Sequence, residues 1–305
     1  MSPDEITQLR AARYNATVTY IDRVHSDLMI LRVKPDSPRP AYKGGQYCSL
    51  GLGYWEPRVD GCQTEILSDD DHRRIVKRAY SVSNSIETTP GELRNLSTDD
   101  WVEFYIVLVR ENPDGRIPAL TPRLFAMQEG SRLNMLERFT GHYTLDPVND
   151  DDTVVFLGTG TGEAPHNAML LELLRRGHNG RILHACCVRY TRDLGYFDIH
   201  RRLEIKYSNY TYVPLTTRES VGHRKVYIQD LITGGEFDSL LDPANTHVYL
   251  CGNPRMIGVP TKDKETGMRV FPQPPGVIEI LEARGFAADN AAVKFHGNIH
   301  FEEYW

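Results

Sequence analysis

The N-terminal half of the chain alternates short runs of β-branched and aromatic residues with breaks that are rich in proline and glycine. Runs bounded in this way are typical of strands, and they fall at residues 16–21, 29–33, 47–50 and 101–110. Several short strands at close spacing predict an antiparallel β-barrel or sandwich. A turn-rich connection then leads to a short predicted helix at 122–128, with Thr121 as its N-cap.

The pattern changes after an acidic linker at 149–152, where a continuous apolar run at 153–157 begins. The sequence GTGTG follows directly at 158–162, and a helix is predicted from Pro165 to about Gly177. A buried strand, a glycine-rich turn and a helix suit phosphate binding, because small residues let backbone amides and the helix N-terminus approach an anion. The turn fits neither a P-loop nor the G-x-G-x-x-G spacing.

Strands and helices alternate through the rest of the chain. Strands are predicted at 182–188, 212–216 and 247–251, and helices at 198–207, 226–232 and 276–284. This alternation is typical of an open parallel sheet with helices on its faces. The chain is therefore predicted to be two-domain, with an antiparallel β domain at 1–148 and a nucleotide-binding α/β domain at 149–305.

Composition narrows the class of protein. A chain of 305 residues with 40% hydrophobic and 25% charged content suits two globular domains, and it contains no apolar run of about 18 residues that would span a membrane. The first thirty residues lack a secretory signal, so we expect a cytoplasmic protein, and a monomer. The net charge of −6 argues against general nucleic-acid binding. Five scattered cysteines without a C-x-x-C pair suggest neither disulfides nor a metal site.

The stretch Arg78-Ala79-Tyr80-Ser81 brings candidate chemistry into the N-terminal half. An extended segment sends alternate side chains to opposite faces, so Arg78 and Tyr80 share one face. The planar guanidinium suits a pyrophosphate, the aromatic ring suits a sugar chain or flavin ring, and the Ser81 hydroxyl suits the flavin's reactive nitrogen. The stretch alone also fits an ordinary half-exposed strand.

Eight ordered motifs together resemble the ferredoxin–NADP reductase family over nearly the whole chain, most of all its bacterial ferredoxin/flavodoxin–NADP reductases. The motifs are RAYS (78–81), FYIV (104–107), LTPRL (120–124), GHYTLD (141–146), GTGTGEAP (158–165), VRYTRDLGY (188–196), CGNPRM (251–256) and FEEYW (301–305). The polar insertion at 55–77 departs from compact versions of the family, and its role stays open.

The resemblance implies an FAD-binding β-barrel and an NADP-binding domain whose C-terminal tail returns to the flavin. The implied reaction is hydride transfer between NADP(H) and FAD, with single-electron exchange with ferredoxin or flavodoxin. The implied catalytic residues are Ser81 near flavin N5, Cys251 beside the nicotinamide, and Glu302 and Tyr304 of the tail. Thr161 is implied as a cofactor-binding residue that flanks the nicotinamide on its other side. The remaining residues implied for the FAD and nicotinamide region are Arg78, Ala79, Tyr80, Tyr105, Ile106, Val107, Leu108, Leu120, Thr121 and Trp305.

The resemblance further implies the NADP site and the site for the protein carrier. Gly160 and Gly162 belong to the phosphate-binding turn, Arg189 and Arg218 match family positions for the 2′-phosphate, and Arg224 and Lys225 compete for a third such role. Acidic carriers need a basic dock, for which Arg73, Arg74 and Lys77 are the candidates, with Arg201 and Arg202 as a second patch.

Two alternatives share these features. One is an NAD(P)H–flavin or oxygenase-type reductase built from the same two domains, although no cysteine-rich iron–sulfur segment is appended. The other is a flavin-binding electron-transfer subunit or redox sensor without independent turnover. The adjacent Cys186 and Cys187 lie in an apolar strand, where core packing is the more common role.

Overall fold

The structure, a computed structural model, describes residues 1–112, 114–219 and 226–304. Residue contacts divide the chain into two units, the first made of Met1–Asn84 and Asn95–His142 and the second of Ser85–Arg94 and the chain from Tyr143 onward. The sequence places the division at 148/149, whereas the contacts place it between His142 and Tyr143 and assign the short segment 85–94 to the second unit.

The first unit is a sheet of six antiparallel strands with two helices. Its elements are α1 (Pro3–Arg13), β1 (Ala16–His25), β2 (Leu28–Pro35), β3 (Tyr47–Gly53), β4 (Ile75–Ser81), β7 (Val102–Val107), α2 (Thr121–Leu124) and β8 (Arg132–Met135), while β5 (Glu87–Thr89) and β6 (Glu92–Leu93) form a hairpin in the second unit. The strand order is β4-β3-β8-β1-β2-β7. A bridge from Ser83, just after β4, to Glu103 of β7 links the two outer strands. The predicted antiparallel barrel is thus confirmed.

Inward-facing side chains of these strands form the core of the first unit. Met29 and Leu31 from β2, Leu50 from β3 and Phe104 from β7 are fully buried. Their spacing of two residues along β2 is the alternation from which the sequence predicts strands. The alternation of hydrophobic residues that predicts strands in this half of the chain therefore also supplies the side chains of its core.

Several elements of the first unit differ from the sequence-based expectation. The helix expected at 122–128 spans only Thr121–Leu124, and the expected N-cap at Thr121 is wrong because Leu120 occupies that position without a side-chain cap. The Thr121 hydroxyl instead accepts a hydrogen bond from the Val109 amide at 3.1 Å. Helix α1 has no buried residue, so it lacks the hydrophobic period that would have revealed it.

The insertion after β3 forms hydrogen bonds and an ion pair with α2 and with the connection that precedes it. The Val59 amide donates to the Pro122 carbonyl at 3.0 Å, and Gln63 donates to Arg110 at 2.8 Å. Glu65 forms an ion pair of 2.5 Å with Arg123 of α2, and both side chains are less than a tenth exposed. The first part of the insertion is therefore a packed layer of the first unit.

The second unit carries a parallel five-stranded sheet. Its elements after the β5–β6 hairpin are β9 (Thr153–Thr159), α3 (Glu163–Arg175), β10 (Ile182–Val188), α4 (Phe197–Lys206), β11 (Tyr210–Thr216), α5 (Ile228–Thr233), β12 (Thr246–Gly252), α6 (Pro254–Ile257), β13 (Thr261–Lys262), β14 (Arg269–Val270), α7 (Val277–Glu282) and β15 (Ile299–Glu303). The strand order is β11-β10-β9-β12-β15 with parallel pairing throughout, which confirms the predicted α/β domain. Across the described ranges, no helix is both long and apolar enough to cross a membrane.

The two faces of this sheet differ in chemistry. One face is aliphatic, with Val155, Leu157 and Leu250 packed against helices α5 and α7. The alternate positions along the same strands carry aromatic and polar side chains, such as Phe156 on β9 and His184 on β10, which contact each other and His166 of α3. Because side chains alternate along a strand, the sequence of each strand encodes both faces at once.

Candidate functional site

The stretch Arg78-Ala79-Tyr80-Ser81 forms the end of β4. Its partner is β3, with Ser81 opposite Tyr47 and Tyr80 opposite Cys48. Arg78 is exposed, and its guanidinium donates one hydrogen bond, to the Lys77 carbonyl at 2.8 Å. The Tyr80 ring meets Phe104 edge-on with ring centroids 6.4 Å apart, which fixes the tyrosine against the core. This strand end thus presents a cation, an aromatic ring and a hydroxyl in sequence.

Strand β7 and the start of α2 place the other predicted flavin-site residues in the first unit. Tyr105, Ile106 and Leu108 are buried, whereas Val107 is 44% exposed and faces outward. The Leu108 amide donates to the Asp27 carbonyl at 2.8 Å, so the backbone is held just beyond the end of β7. Leu120 is buried at the N-cap position of α2, directly before Thr121.

The glycine-rich turn of the second unit follows β9 without a gap. A single 3-10 turn, Gly160–Gly162, leads into α3, which begins at Glu163, two residues before the Pro165 predicted from the sequence. Gly160 has a φ of 53°, and a Cβ there would meet no atom within 4 Å. The turn therefore has open space on the side toward which a Cβ at Gly160 would point.

The same turn lies in backbone contact with the end of β12. A Cβ on Gly162 would lie 2.3 Å from the Cys251 carbonyl oxygen, and one on Gly252 would lie 2.3 Å from the Thr159 hydroxyl. The Asn253 amide donates to that hydroxyl at 2.7 Å. The contact brings the segment that contains Thr161 to the segment that contains Cys251, as the motifs imply.

The C-terminal residues extend the sheet as strand β15. Cys251 and Glu302 are register partners, and the Tyr304 amide donates to the Gly252 carbonyl at 2.9 Å. Cys251 is fully buried, and this burial, with the Glu302 charge, raises the pKa of its thiol well above the usual range. A protonated, buried thiol is a poor nucleophile. Trp305, predicted to extend this site, lies outside the described residues.

Two of the four predicted 2′-phosphate residues lie at adjacent strand ends. Arg189 follows β10 and Arg218 follows β11, and the Arg218 amide donates to the Arg189 carbonyl at 3.0 Å. Both side chains are exposed, and neither guanidinium forms an ion pair with any residue in the described part of the chain. Arg224 and Lys225, the other two, fall outside the described residues.

The residues predicted for the basic dock differ in how fully their charges are neutralised. Arg73 pairs with Glu5 at 3.0 Å and Arg74 with Asp71 at 2.8 Å, whereas Lys77 is exposed without an ion pair among the described residues. In the second patch, Arg201 pairs with Glu204 at 2.5 Å and Arg202 with the buried Glu87 at 2.9 Å. Positive charge is thus least compensated at Lys77, next to Arg78.

A cluster of buried polar residues beside the glycine-rich turn was not predicted from the sequence. It comprises Glu163 and His166 of α3, His184 of β10, His200 of α4 and Tyr210 and Tyr212 of β11, all less than a tenth exposed. The signal available in the sequence was the set of polar residues at positions that the strand and helix patterns assign to the interior.

Comparison with known proteins agrees with the geometry. Residues 156–261 match the model of the oxidoreductase NAD-binding domain. The chain is 32% identical over 229 residues to a flavodoxin/ferredoxin–NADP reductase of Shigella flexneri, and 31% identical over 229 residues to one of Escherichia coli, covering 72% of this chain and 78% of each relative. A solved ferredoxin NADP+ reductase from Neisseria gonorrhoeae, with bound FAD and NADP, shares the fold with a TM-score of 0.68 at 20% identity, over 95% of this chain and 97% of that one.

Thiol labelling tests the protected state of Cys251. Burial raises the pKa of Cys48 to about 12 and of Cys187 to about 11, and it raises the pKa of Cys186 and Cys251 well above the usual range. The thiolate is the reacting species, so at pH 8 we expect Ellman's reagent to label only Cys62 rapidly. Unfolding in denaturant should release all five thiols.

The matched variants are Cys62→Ser and Cys251→Ser. The first should abolish the rapid phase, and the second should leave it unchanged. A rapid second thiol that disappears in Cys251→Ser would show that Cys251 is reactive in the folded protein.

Proposed function

This chain belongs to the flavodoxin/ferredoxin–NADP reductase family, and on that basis we propose that it transfers a hydride between NADP(H) and FAD and single electrons to or from ferredoxin or flavodoxin. It is an oxidoreductase whose cofactors are FAD and NADP. The observation that carries the proposal is the 32% identity spread over 72% of the chain. An NAD(P)H–flavin reductase would instead reduce free flavin rapidly without a carrier, so comparing the rates of NADPH-dependent reduction of free flavin and of ferredoxin distinguishes the two functions.

The residues of the first unit fit an FAD. Arg78 has an exposed guanidinium free of ion pairs with the described residues, which suits a pyrophosphate, and Tyr80 is fixed beside it for the sugar chain and ring. Ser81 is proposed to hold the flavin near N5, while 105–108 and Leu120 with Thr121 complete the site. When bound, the flavin supplies the hydride and single-electron chemistry, and these residues supply orientation.

The residues of the second unit fit an NADP. The backbone at Gly160 faces open space and Gly162 leads into α3, so both suit a pyrophosphate, and the exposed Arg189 and Arg218 suit the 2′-phosphate. Thr161 and Cys251 are proposed to position the nicotinamide, with Cys251 acting by shape and not as a nucleophile. Glu302 and Tyr304 stay proposed catalytic residues.

Replacement of Arg78 tests the flavin site. Because Arg78→Ala removes a charge-assisted pair to the pyrophosphate, we expect FAD affinity to fall roughly ten- to a hundredfold. The measurement is the ratio of absorbance at the flavin band to protein absorbance after purification, followed by fluorescence titration with FAD.

The control for this experiment is Arg116→Ala, which removes an arginine that is 83% exposed in the same unit. It should retain full flavin content. If Arg78→Ala retained full flavin as well, the flavin cradle would have been assigned to the wrong strand.

Replacement of Arg218 tests the choice between NADP and NAD. Arg218→Ala should raise the KM for NADPH about tenfold and leave the KM for NADH unchanged, because only NADPH carries the 2′-phosphate. Steady-state diaphorase kinetics with both nucleotides provide the measurement. Arg192→Ala, a neighbouring and 71% exposed arginine, is the control and should leave the preference intact. An unchanged NADPH/NADH preference in Arg218→Ala would remove this role.

We also propose that the carrier docks on the basic patch of Arg73, Arg74 and Lys77, with Arg201 and Arg202 as a second patch, because Lys77 is exposed without an ion pair among the described residues whereas Arg201 and Arg202 are both paired. Lys77→Glu should slow carrier reduction several-fold at low ionic strength, and the difference should vanish at about 0.5 M salt, where charges are screened. Stopped-flow reduction of ferredoxin provides the rate. Lys264→Glu, a reversal at an exposed lysine of the second unit, is the control.

If Lys77→Glu reduced the carrier as fast as wild type, and if neither rate changed with salt concentration, the carrier would dock elsewhere. That the chain is a cytoplasmic monomer stays a prediction.

A further inference from the structure

The face of the parallel sheet beneath α3 and α4 contains a buried polar cluster that the proposed function leaves unused. Its members are Glu163, His166, His184, His200, Tyr210 and Tyr212. Within the ranges that the structure describes, no three histidine, cysteine or carboxylate side chains are arranged to hold a metal ion. The cluster therefore calls for an explanation in terms of charge and hydrogen bonds.

Glu163 is the one carboxylate in this cluster, and it is the first residue of α3 after the glycine-rich turn. One carboxylate oxygen accepts a hydrogen bond from the Tyr212 hydroxyl at 3.0 Å and lies 3.2 Å from Nε2 of His200. The other oxygen is buried without a hydrogen-bond partner among the described residues. A helix N-terminus stabilises negative charge, but a fully buried carboxylate with one unsatisfied oxygen is costly.

His200 continues the network on its other side. The Tyr210 hydroxyl lies 2.8 Å from Nδ1 of His200 and 3.5 Å from Nδ1 of His184. When His200 is neutral with its proton on Nε2, Nδ1 accepts from Tyr210. When His200 gains a second proton on Nδ1, the Tyr210 hydroxyl accepts it and turns its own hydrogen toward His184. A second proton on Nδ1 thus finds an acceptor in Tyr210, while Nε2 of His200 stays beside the Glu163 carboxylate as a charge partner without a regular hydrogen bond. Nε2 of His184 likewise has no hydrogen-bond partner among the described residues.

The other groups around the pair hold their charge fixed near neutral pH. Burial lowers the pKa of His166 to about 3 and that of His184 well below its usual range, so both stay neutral. Burial raises the pKa of Cys186, Tyr210 and Tyr212 well above their usual ranges, so all three keep their protons.

Two further sets of groups lie next to this cluster. The Tyr143 hydroxyl lies 2.7 Å from Nε2 of His166, and burial raises the pKa of Tyr143 well above the usual range, so it also keeps its proton. On α4, Arg201 and Glu204 form an ion pair of 2.5 Å, and their charges offset each other.

We propose that Glu163 and His200 are positioning residues that couple nucleotide binding at the turn to the uptake of one proton. The inference rests on the proposed function, which places the pyrophosphate at the N-terminus of α3. There the pyrophosphate and the Glu163 carboxylate are two anions at one helix end, and they repel each other. A proton moving from solvent to Nδ1 of His200 changes the net charge of the pair from −1 to 0 and relieves the repulsion.

The sign of the pH dependence follows from linkage. If the complex holds one more proton than the free protein, nucleotide affinity rises as pH falls. The association constant changes at most about tenfold per pH unit, and it becomes flat once the free pair is protonated as well. Glu163→Gln removes the negative charge, so this variant should bind NADP+ several-fold more tightly than wild type at alkaline pH, and the difference should narrow as pH falls. A substitution that merely damaged the fold would weaken binding at every pH.

The experiment is calorimetric titration of the FAD-loaded full chain with NADP+ in phosphate and in Tris, whose ionisation enthalpies differ. The heat difference counts the protons taken up. The 2′-phosphate of NADP+ also titrates in this range, so the measured quantity is the difference between wild type and variant. Glu163→Gln and Tyr210→Phe should each take up fewer protons than wild type. His178→Gln replaces a histidine at the opposite end of α3 and should match wild type.

The outcomes separate the two proposals. NADP+ binding with equal proton uptake in wild type, Glu163→Gln and Tyr210→Phe overturns this inference alone. If Glu163→Gln does not fold, equal uptake in Tyr210→Phe has the same consequence. Failure of the wild-type protein to bind NADP+ overturns the proposed function and this inference with it.

Discussion

The close backbone contact between the glycine-rich turn and the end of β12 is the constraint on which the second unit depends. Neither Gly162 nor Gly252 has room for a Cβ, because each would lie 2.3 Å from an atom of the facing segment. Gly252 also has a φ of 117°, which other residues rarely adopt. The contact therefore requires glycine on both sides. It fixes where α3 begins and holds Cys251 in a buried position at the edge of the turn.

The position of α3 has a second consequence, because its first residue points into the sheet. The aliphatic face against α5 and α7 needs only close packing, whereas the face under α3 and α4 must satisfy hydrogen bonds for imidazoles, phenols and Glu163. Replacing a polar network with aliphatic side chains often leaves stability equal or higher. A polar network on this face beside the glycine-rich turn therefore fits the proposed role in proton uptake better than a role in stability.

The sequence predicted those elements whose hydrophobic pattern is regular. Strand β10 was predicted with its observed bounds, and the apolar run of β9 was placed to within two residues. Elements without such a pattern were missed, among them α1, which has no buried residue, the four-residue β8, and β15, which was expected only as an aromatic tail. The hairpin of β5 and β6 was missed as well, because Arg202, Lys206 and Arg175 hold it through contacts far apart in sequence.

The arginines in and near the candidate site illustrate what the sequence cannot predict. They are the same residue type, but the fold buries some guanidinium groups in ion pairs and leaves others exposed. Arg123 sits inside a family motif, yet its guanidinium is buried and occupied by Glu65 and by backbone carbonyls of Ala119 and Tyr54. It can therefore only hold the insertion against α2. Exposed guanidinia that have no carboxylate partner among the described residues, such as those of Arg78, Arg189 and Arg218, still have their planar fork available. Which arginines are available for the proposed phosphate contacts thus depends on tertiary contacts, which the sequence motifs do not show.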